Sequence, residues 1–400
     1  MALPIYLAAC AVPDGGLFRA ARFRDVHVYQ GFATAVFDGH VPYRDFFVEY
    51  PPGAFAVFLP PRLLGSSHYN AAFKTLMALC GIATLLLVAF LLVRLCASTR
   101  RVWAAVLLVG LSPLALGPIS LNTYDAWPAL LTLAALALLV AGRPVTAFAL
   151  LGAGFAAKVY PVVLLPPALV FVWRTGGRAA AQRALVSFAG VCAFFVVPFL
   201  VLAPHGLLES FRAQAARSLQ VESLGGAALA VADRLGVYSA TVVHRTEPAI
   251  SYDLAGTLPR VLAGLSSAAQ LAAVATVAWF YLRGRDDPRR LAVSFAAAVA
   301  GFLVFTRFFS PQYMVWLIPL VVFLGPVAWM LTTAALVLAQ IWFFHYGHVF
   351  ALGGYVWLVL FRDVLVALLF VVALRALRGR TAEDQDAVLL EHQSPLRVSS

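Results

Sequence analysis

Long apolar runs constrain the fold of this chain more than any other feature of its sequence. The clearest lie at 71–97, 102–119 and 185–203. Each is close to the roughly 20 apolar residues that a helix needs to cross a bilayer. Charged residues make up only 12% of the chain, about half the share of an ordinary soluble domain. The sequence therefore predicts an all-α, polytopic integral membrane protein with a single transmembrane domain over 1–380.

Arginines between the apolar runs predict how the chain is threaded through the membrane. Every second connection is basic except the turn around Gly325, with Arg100, Arg143, Arg174, Arg283 and Arg375 on one side. The positive-inside rule makes that side cytoplasmic, so the net charge of +11 needs no nucleic-acid partner. The predicted crossings are 71–97, 102–119, 126–142, 144–160, 161–173, 185–203, 258–282, 291–306, 313–329, 330–345 and 355–374.

The ends of the chain complete this prediction. Residues 1–23 are interpreted as an incomplete first span, which brings the bundle to about 11–12 transmembrane helices. Residues 381–400 are predicted to be a disordered cytoplasmic tail. Polar residues collect on the other, extracytoplasmic side, chiefly in a first loop at 24–53 and a large loop at 204–257. An enzyme with a lipid-borne substrate requires such one-sidedness.

The first loop concentrates acidic residues in a chain that has only 18 of them. Four fall in it: Asp25, Asp38, Asp45 and Glu49. After Asp25, apolar residues recur at a helical spacing, which predicts a helix lying on the membrane surface. Asp25 is either the cap of this helix or a catalytic base, and the two roles are compatible. The apolar positions are Val26, Tyr29, Ala33 and Val36.

The rest of the first loop mixes tyrosines with charges ahead of paired prolines. Tyr43, Arg44, Asp45, Glu49 and Tyr50 are candidates to hold a sugar or to position the base. The alternatives are an interfacial tyrosine belt and a structural ion-pair network around Arg44. The sequence alone leaves these interpretations open.

Three later segments carry basic residues on the same predicted face. Lys158 lies at the outer end of a predicted helix, where it binds a lipid-linked phosphate or reaches the headgroups. Arg217 and Arg307 lie in polar clusters that suit phosphate and sugar, or that form solvated helix faces. His345 and His348 are interpreted as interfacial. The sequence predicts neither a metal site nor a cofactor.

The activated donor is expected to be a lipid. The sequence contains no phosphate-binding loop, nucleophile elbow or dinucleotide fingerprint. The predicted cytoplasmic connections are also too short to fold into a nucleotide-binding domain. A nucleotide sugar is therefore not the expected donor.

Four segments of the chain, at 25–52, 156–161, 217–223 and 307–319, together resemble glycosyltransferase family 87. Members of that family are integral-membrane mannosyltransferases of the GT-C fold, common in actinobacteria, that use polyprenyl-phosphate-mannose. The resemblance implies transfer of a mannosyl (or related pentosyl) residue to a lipid-linked or cell-envelope glycan on the extracytoplasmic face. It implies that Asp25, in the D-V-x-V-Y segment, is the general base of an inverting reaction.

The residues and the resemblance together give one set of expected substrate contacts. A transporter or flippase for a lipid-linked saccharide is the alternative, and it would need no base at the anomeric carbon. The oligomeric state is not predicted. The expected contacts are Tyr29, Tyr43, Arg44, Asp45, Glu49, Tyr50, Lys158, Tyr160, Arg217, Gln220, Glu222, Arg307, Gln312 and Tyr313.

Overall fold

The computed structural model describes residues 2–15, 25–245 and 251–393, and it confirms the all-α prediction. Short 3-10 turns connect many of the α-helices. The helices are α1 Ala2–Gly15, α2 Asp25–Phe37, α3 Phe55–Phe58, α4 Tyr69–Arg94, α5 Thr99–Leu116, α6 Ile119–Asn122, α7 Ala126–Val140, α8 Pro144–Ala157, α9 Leu165–Leu202, α10 Pro204–Ala215, α11 Leu224–Arg234, α12 Thr257–Leu282, α13 Pro288–Val304, α14 Met314–Val321, α15 Pro326–Phe343, α16 Tyr346–Phe350 and α17 Val356–Gln393.

Six helical segments among the described residues are long and apolar enough to cross a membrane. Shorter apolar helices account for most of the other predicted crossings, including α7 and α8. At about 1.5 Å per residue these two rise only about 21–23 Å, which is less than the roughly 30 Å hydrocarbon core. The six are Ser66–Arg94, Thr99–Leu116, Tyr160–Leu202, Thr257–Leu282, Pro326–Phe343 and Val356–Gly379.

Helix α9 contains two of the predicted crossings because it doubles back on itself. The break falls at Gly177, whose φ of 75° is a conformation that glycine adopts without strain. Pro161 just before α9 packs at Gly154 of α8, and Phe188 in the second arm packs at Gly152. In a straight helix these two residues would be about 40 Å apart. The predicted crossings 161–173 and 185–203 are therefore the two arms of one helical hairpin.

The structure brings the basic connections together at one end of the bundle, here called the arginine face. Helix α4 ends at this face and begins at the other, which we call the site face. The arginine side chains bind backbone carbonyl groups of neighbouring connections. Arg101 donates to Val322 and Phe323, Arg174 donates to Leu282 and Gly284, and Arg289 donates to Leu95.

The predicted large loop folds into two helices, α10 and α11, and a β-hairpin that the sequence analysis did not predict. Strands β1 Val242–Arg245 and β2 Ser251–Leu254 pair antiparallel, and Val242 faces Leu254. Buried side chains of this loop, including Leu219 and Val221, pack with Trp342 and Val349 in a second hydrophobic core. That core attaches the loop to α15, α16 and α17.

The structure tests the predictions for the two ends of the chain only in part. Tyr6 of α1 packs against Gly81 of α4, so the described part of the predicted first span is attached to the bundle. Residues 16–24 lie outside the described residues. Helix α17 runs to Gln393, and the disordered tail at 381–400 stays a prediction.

Candidate active site

Helix α2 places Asp25 at the edge of a buried aromatic group. As predicted, one face of α2 is buried, through Val26, Tyr29 and Ala33. The Tyr29 ring stacks on Phe58 with centroids 4.3 Å apart. This packing fixes the first turn of α2, so Asp25 is held beside the Tyr29 hydroxyl.

Glu49 reaches the same region because the first loop is clamped from two sides. Gly53 lies so close to the backbone of Ala156 that a Cβ atom would overlap it. On the other side, Ser210 and Gln214 of α10 donate hydrogen bonds to the carbonyl groups of Val48 and Glu49, at 2.6 and 3.2 Å. These contacts hold the segment from Val48 to Gly53 against the end of α8 on one side and against α10 on the other.

Arg217 lies just after α10 and faces Glu49. Its guanidinium NH2 atom is 3.5 Å from Glu49 Oε2, within ion-pair range but longer than a hydrogen bond. The same nitrogen is buried and makes no hydrogen bond within the described residues. Arg217 therefore has hydrogen-bonding capacity that the described part of the protein does not use.

Lys158 is the C-cap of α8 and is enclosed by aromatic rings. Its Nζ atom is 2.6 Å from Asp125 Oδ1, and the indole nitrogen of Trp316 donates to the same oxygen at 2.7 Å. The ammonium also lies 4.5 Å from the ring centroid of Tyr124 and 5.0 Å from that of Tyr313. Cation–π attraction adds to the ion pair, so Lys158 is a charged and well-positioned group.

Electrostatics connect these side chains into one site, here called the Asp25 cluster: Asp25, Glu49, Asp125, Lys158 and Arg217. Burial, together with the nearby carboxylates of Glu49 and Asp125, raises the pKa of Asp25 to about 7. The Lys158 ammonium and the Tyr29 hydroxyl oppose this rise. Burial also raises the pKa of Glu49, against the charges of Arg217 and Lys158. A carboxyl group with a pKa near neutral suits a general base.

Two further expected contacts support the cluster through aromatic packing. Tyr160 stacks on Trp316 with centroids 4.2 Å apart, and its hydroxyl lies 2.9 Å from that of Thr132. Tyr50 packs edge-on against Tyr29 with centroids 5.6 Å apart. Tyr43 donates to the Tyr50 carbonyl at 2.6 Å. These tyrosines hold the cluster in shape, and their contact with substrate stays a prediction.

Arg44 and Asp45 lie away from the cluster, on the exposed surface of the first loop. Arg44 Nε is 2.8 Å from Asp45 Oδ1, and this contact lowers the pKa of Asp45 to about 2. Asp45 also lines an open depression with His27 and Asp38 on the solvent side of α2. The suggested ion-pair network around Arg44 therefore omits Glu49, whose charge partner is Arg217.

Arg307 acts on the backbone that leads to Arg217. Its side chain donates to Ser267 Oγ and to the carbonyl groups of Ala215 and Arg217, at 2.7, 2.7 and 3.2 Å. Its own carbonyl accepts from the Gln220 amide at 2.9 Å. Arg307 thus positions the loop that carries Arg217. Its direct contact with substrate, like that of Gln220 and Gln312, stays a prediction.

Glu222 belongs to a second buried group, here called the Arg362 cluster: Glu222, Arg362 and Asp363. Arg362 donates to the carbonyl groups of Glu222 and Phe309, at 2.6 and 2.9 Å, and its Nε atom lies 2.7 Å from Asp363 Oδ1. Burial, with a smaller contribution from the Asp363 carboxylate and against the charge of Arg362, raises the pKa of Glu222 to about 7. The expected sugar contact of Glu222 stays a prediction, outside the Asp25 cluster.

Sequence reasoning missed Asp125, Trp316, Arg362 and Asp363. Asp125 is the last of a short polar group before an apolar helix, and Arg362 and Asp363 interrupt an apolar run. An ionisable residue in a membrane segment is a functional candidate by default, so this signal was present in the sequence. Trp316 carries no such signal, because a tryptophan near a membrane surface is common.

These observations define a polytopic helical membrane protein with an ionic cluster, assembled from distant segments, at one face. A family model for glycosyltransferase family 87 matches residues 47–311, about two thirds of the chain. The chain belongs to that family, and it is a membrane glycosyltransferase. The matched residues include Glu49, Asp125, Lys158 and Arg217, whereas Asp25 precedes them. None of the curated proteins compared with the chain matches it.

Proposed function

We propose that the protein transfers a mannosyl residue from a polyprenyl-phosphate donor to a lipid-linked or cell-envelope glycan. The reaction takes place at the extracytoplasmic face and inverts the anomeric configuration, with Asp25 as the general base. Membership of glycosyltransferase family 87 supports the reaction class. The choice of mannose and of a lipid-phosphate donor rests on the resemblance of the four segments.

One observation carries the proposal. Segments far apart in the chain bring carboxylates and cations to the same place: Lys158 acts on the pKa of both Asp25 and Glu49, and Arg217 faces Glu49. A glycosyl phosphate requires this combination. A base must meet the acceptor hydroxyl, and a cation must meet the phosphate on the other side of the anomeric carbon.

The chemistry follows from these positions. Asp25 accepts the proton of an acceptor hydroxyl as its oxygen forms a bond to the anomeric carbon. The bond from that carbon to the phosphate oxygen breaks, and the phosphate leaves with the electron pair. Arg217 stabilises the charge that grows on the phosphate, and the positive charge of Lys158, which stays paired with Asp125, adds to this stabilisation. Attack and departure on opposite sides of the carbon give inversion.

The placement outside the cytoplasm rests on the two faces of the bundle. The basic connections gather at the arginine face, which the positive-inside rule assigns to the cytoplasm. The Asp25 cluster lies at the site face. A lipid-linked donor and an envelope glycan can both reach the cluster there.

A transfer assay tests the reaction. Purified protein in liposomes is incubated with radiolabelled polyprenyl-phosphate-mannose and a crude extract of acceptor lipids. We expect the label to appear in a new glycosidic product. Label that crosses the bilayer but stays on polyprenyl phosphate would favour a flippase. Label that does neither would contradict both functions.

Thiol labelling tests the sidedness. Cys96 is exposed in the connection between α4 and α5 at the arginine face, whereas Cys10 and Cys80 are buried. In a Cys192→Ser background, a membrane-impermeant maleimide should label Cys96 only after the cells are permeabilised. The matched control adds Cys96→Ser and Arg44→Cys, which places the thiol on the exposed first loop. That variant should be labelled in intact cells, and the reverse pattern would contradict the proposed orientation.

A further inference from the structure

Asp125 is the most deeply buried carboxylate of the Asp25 cluster, and no part of the proposed chemistry uses it. Its side chain is 0% exposed. One oxygen, Oδ1, accepts from both Lys158 and Trp316. The other oxygen, Oδ2, is buried and makes no hydrogen bond to any residue that the structure describes. Burying an oxygen of this kind without a partner is unfavourable, so proteins rarely keep one without a reason.

The environment of Asp125 holds its carboxylate in a fixed orientation. Two donors from different helices bind the same oxygen, and the rings of Tyr124 and Tyr313 enclose the lysine. Oδ2 is therefore directed by its neighbours and does not rotate freely toward the Lys158 ammonium. A fixed, unfilled acceptor is suited to a ligand that donates a hydrogen bond.

A second buried polar atom of the cluster without a hydrogen-bond partner indicates which chemical groups that ligand carries. The buried NH2 atom of Arg217 makes no hydrogen bond within the described residues, and it is a donor. An anion alone would suit Arg217 but would leave the acceptor of Asp125 unused. A hydroxyl group alone would leave Arg217 unused. A sugar attached to a phosphate carries both groups.

We propose that Asp125 binds a hydroxyl group of the donor sugar through Oδ2. Lys158 and Trp316 then act as positioning residues that hold the carboxylate by its other oxygen. This inference rests on the proposed function, because it takes a glycosyl phosphate as the donor. It adds a sugar-binding residue that orients the anomeric carbon between Asp25 and Arg217.

The substitution Asp125→Asn tests this role with little change of shape. Lys158 and Trp316 are both donors, so they select the amide orientation that places the carbonyl oxygen at the Oδ1 position. The NH2 group then replaces Oδ2, and an acceptor becomes a donor at that one position. We expect kcat/KM for polyprenyl-phosphate-mannose to fall about 10- to 100-fold, as for the loss of a hydrogen bond to a charged group.

A series of deoxy donors separates binding from a structural role. The wild type and Asp125→Asn are each assayed with polyprenyl-phosphate-mannose and with its 2-, 3-, 4- and 6-deoxy analogues. For one analogue, kcat/KM of the wild type should fall about as much as the substitution lowers it for the parent donor. The same analogue should lower kcat/KM of Asp125→Asn no further. The ratio of two donors on one preparation is independent of the folded fraction. An equal loss with all four analogues would overturn the proposal.

The substitution Trp316→Phe is the matched control, because it removes a donor to Oδ1 and leaves Oδ2 as an acceptor. It should slow all donors by a similar factor and keep the sensitivity to the deoxy position. If Asp125→Asn has no measurable turnover, the same comparison is made by donor binding, and equal weakening for every analogue overturns the proposal. A wild type that transfers no sugar from the parent donor would instead refute the proposed function.

Discussion

The two buried ionic clusters of this protein differ in what their cations bind. In the Arg362 cluster, the guanidinium donates to the carbonyl groups of Glu222 and Phe309, and it lies 4.0 Å over the Phe309 ring. In the Asp25 cluster, Arg217 and Lys158 face carboxylates, and Arg217 keeps a buried nitrogen without a hydrogen bond among the described residues. The cation of one cluster binds the backbone, whereas the cations of the other are paired with carboxylates.

This difference shows that a buried charge in a membrane protein is not by itself the mark of a site. Both oxygens of Asp363, like Oδ2 of Asp125, make no hydrogen bond in the described part of the chain, and neither does Arg362 Nε. The cation beside Asp363, however, is Arg362, which donates hydrogen bonds to the backbone. Both residues also lie beyond residue 311, where the family match ends. Arg362 connects the loop after Arg217 to the segment after Arg307. We infer that Arg362 stabilises the backbone of segments that lead to the Asp25 cluster.

The largest expected effect is that of Asp25→Asn. The amide keeps the shape of the side chain but cannot accept the proton, so kcat should fall about 10²–10⁴-fold. The donor KM should change little, because Arg217 and Lys158 remain in place. Initial rates over a range of donor concentrations measure both constants.

Two controls make the Asp25 result specific. Asp38→Asn changes an acid on the solvent side of the same loop, and it should retain near-wild-type turnover. Near-full activity of Asp25→Asn would remove Asp25 as the base. Glu49 would then be the better candidate, because it lies in the cluster whereas Asp45 is paired with Arg44 at the surface.

The Arg362 cluster should respond in stability. Arg362→Met fills a similar volume but leaves Asp363 without its partner and frees two buried carbonyl groups. Removing one member of a buried ion pair typically costs about 3–5 kcal/mol. A clearly lower melting temperature in detergent is therefore expected, with an unchanged pH dependence of kcat in the fraction that remains folded.

Arg44→Met is the control for that measurement. Arg44 is also paired with the next residue in sequence, but its side chain is 53% exposed. Its loss should not lower the melting temperature measurably. If Arg362→Met were as stable as Arg44→Met while its donor KM rose, Arg362 would belong to the substrate site, and the distinction between the clusters would be wrong.

The helices and the gathering of polar residues at one face were predictable from the sequence, for a physical reason. Apolar run length and the position of arginines are local properties, and the membrane converts both directly into structure. Gly177 marks a turn that this approach located: the predicted crossings 161–173 and 185–203 correspond to the two helical arms of α9 that meet at this glycine.

The pairing inside the clusters could not be predicted in the same way. Lys158 and Asp125 are 33 residues apart, and Arg362 binds the carbonyl of a residue 140 positions earlier. Arg217 and Glu222 are close in sequence, so the sequence analysis grouped them as one contact region. Ser223 then caps α11, and the backbone turn before it sends Glu222 to the other cluster.

Arg217→Gln should weaken donor binding. The amide keeps a donor but loses the charge that faces the phosphate, and hydrogen bonds to charged groups contribute about 1.5–3 kcal/mol. We expect the donor KM to rise about 10- to 100-fold. Arg212→Gln, an exposed arginine in the last turn of α10, is the matched control and should leave KM unchanged. An equal effect of both substitutions would indicate general electrostatic attraction to lipid.

The pH dependence of the reaction reports on Asp25 directly. Because burial raises its pKa to about 7, kcat/KM should rise with pH and level off above about 7. The free energy of unfolding should change with pH in the opposite direction. The folded protein favours protonated Asp25, so this contribution to stability is lost as the pH rises from about 4 through about 7. Asp25→Asn should remove this contribution from the melting profile.

The smallest expected effect is a shift of the pH dependence of kcat/KM by Glu49→Gln. After burial, the Glu49 carboxylate is the next cause of the raised pKa of Asp25. Removing its charge should move the midpoint of kcat/KM to lower pH, by less than about one unit because burial remains. Asp45→Asn, which removes an acid paired at the surface, should leave the midpoint in place. A shift for Asp45→Asn and none for Glu49→Gln would place the titrating base outside the Asp25 cluster.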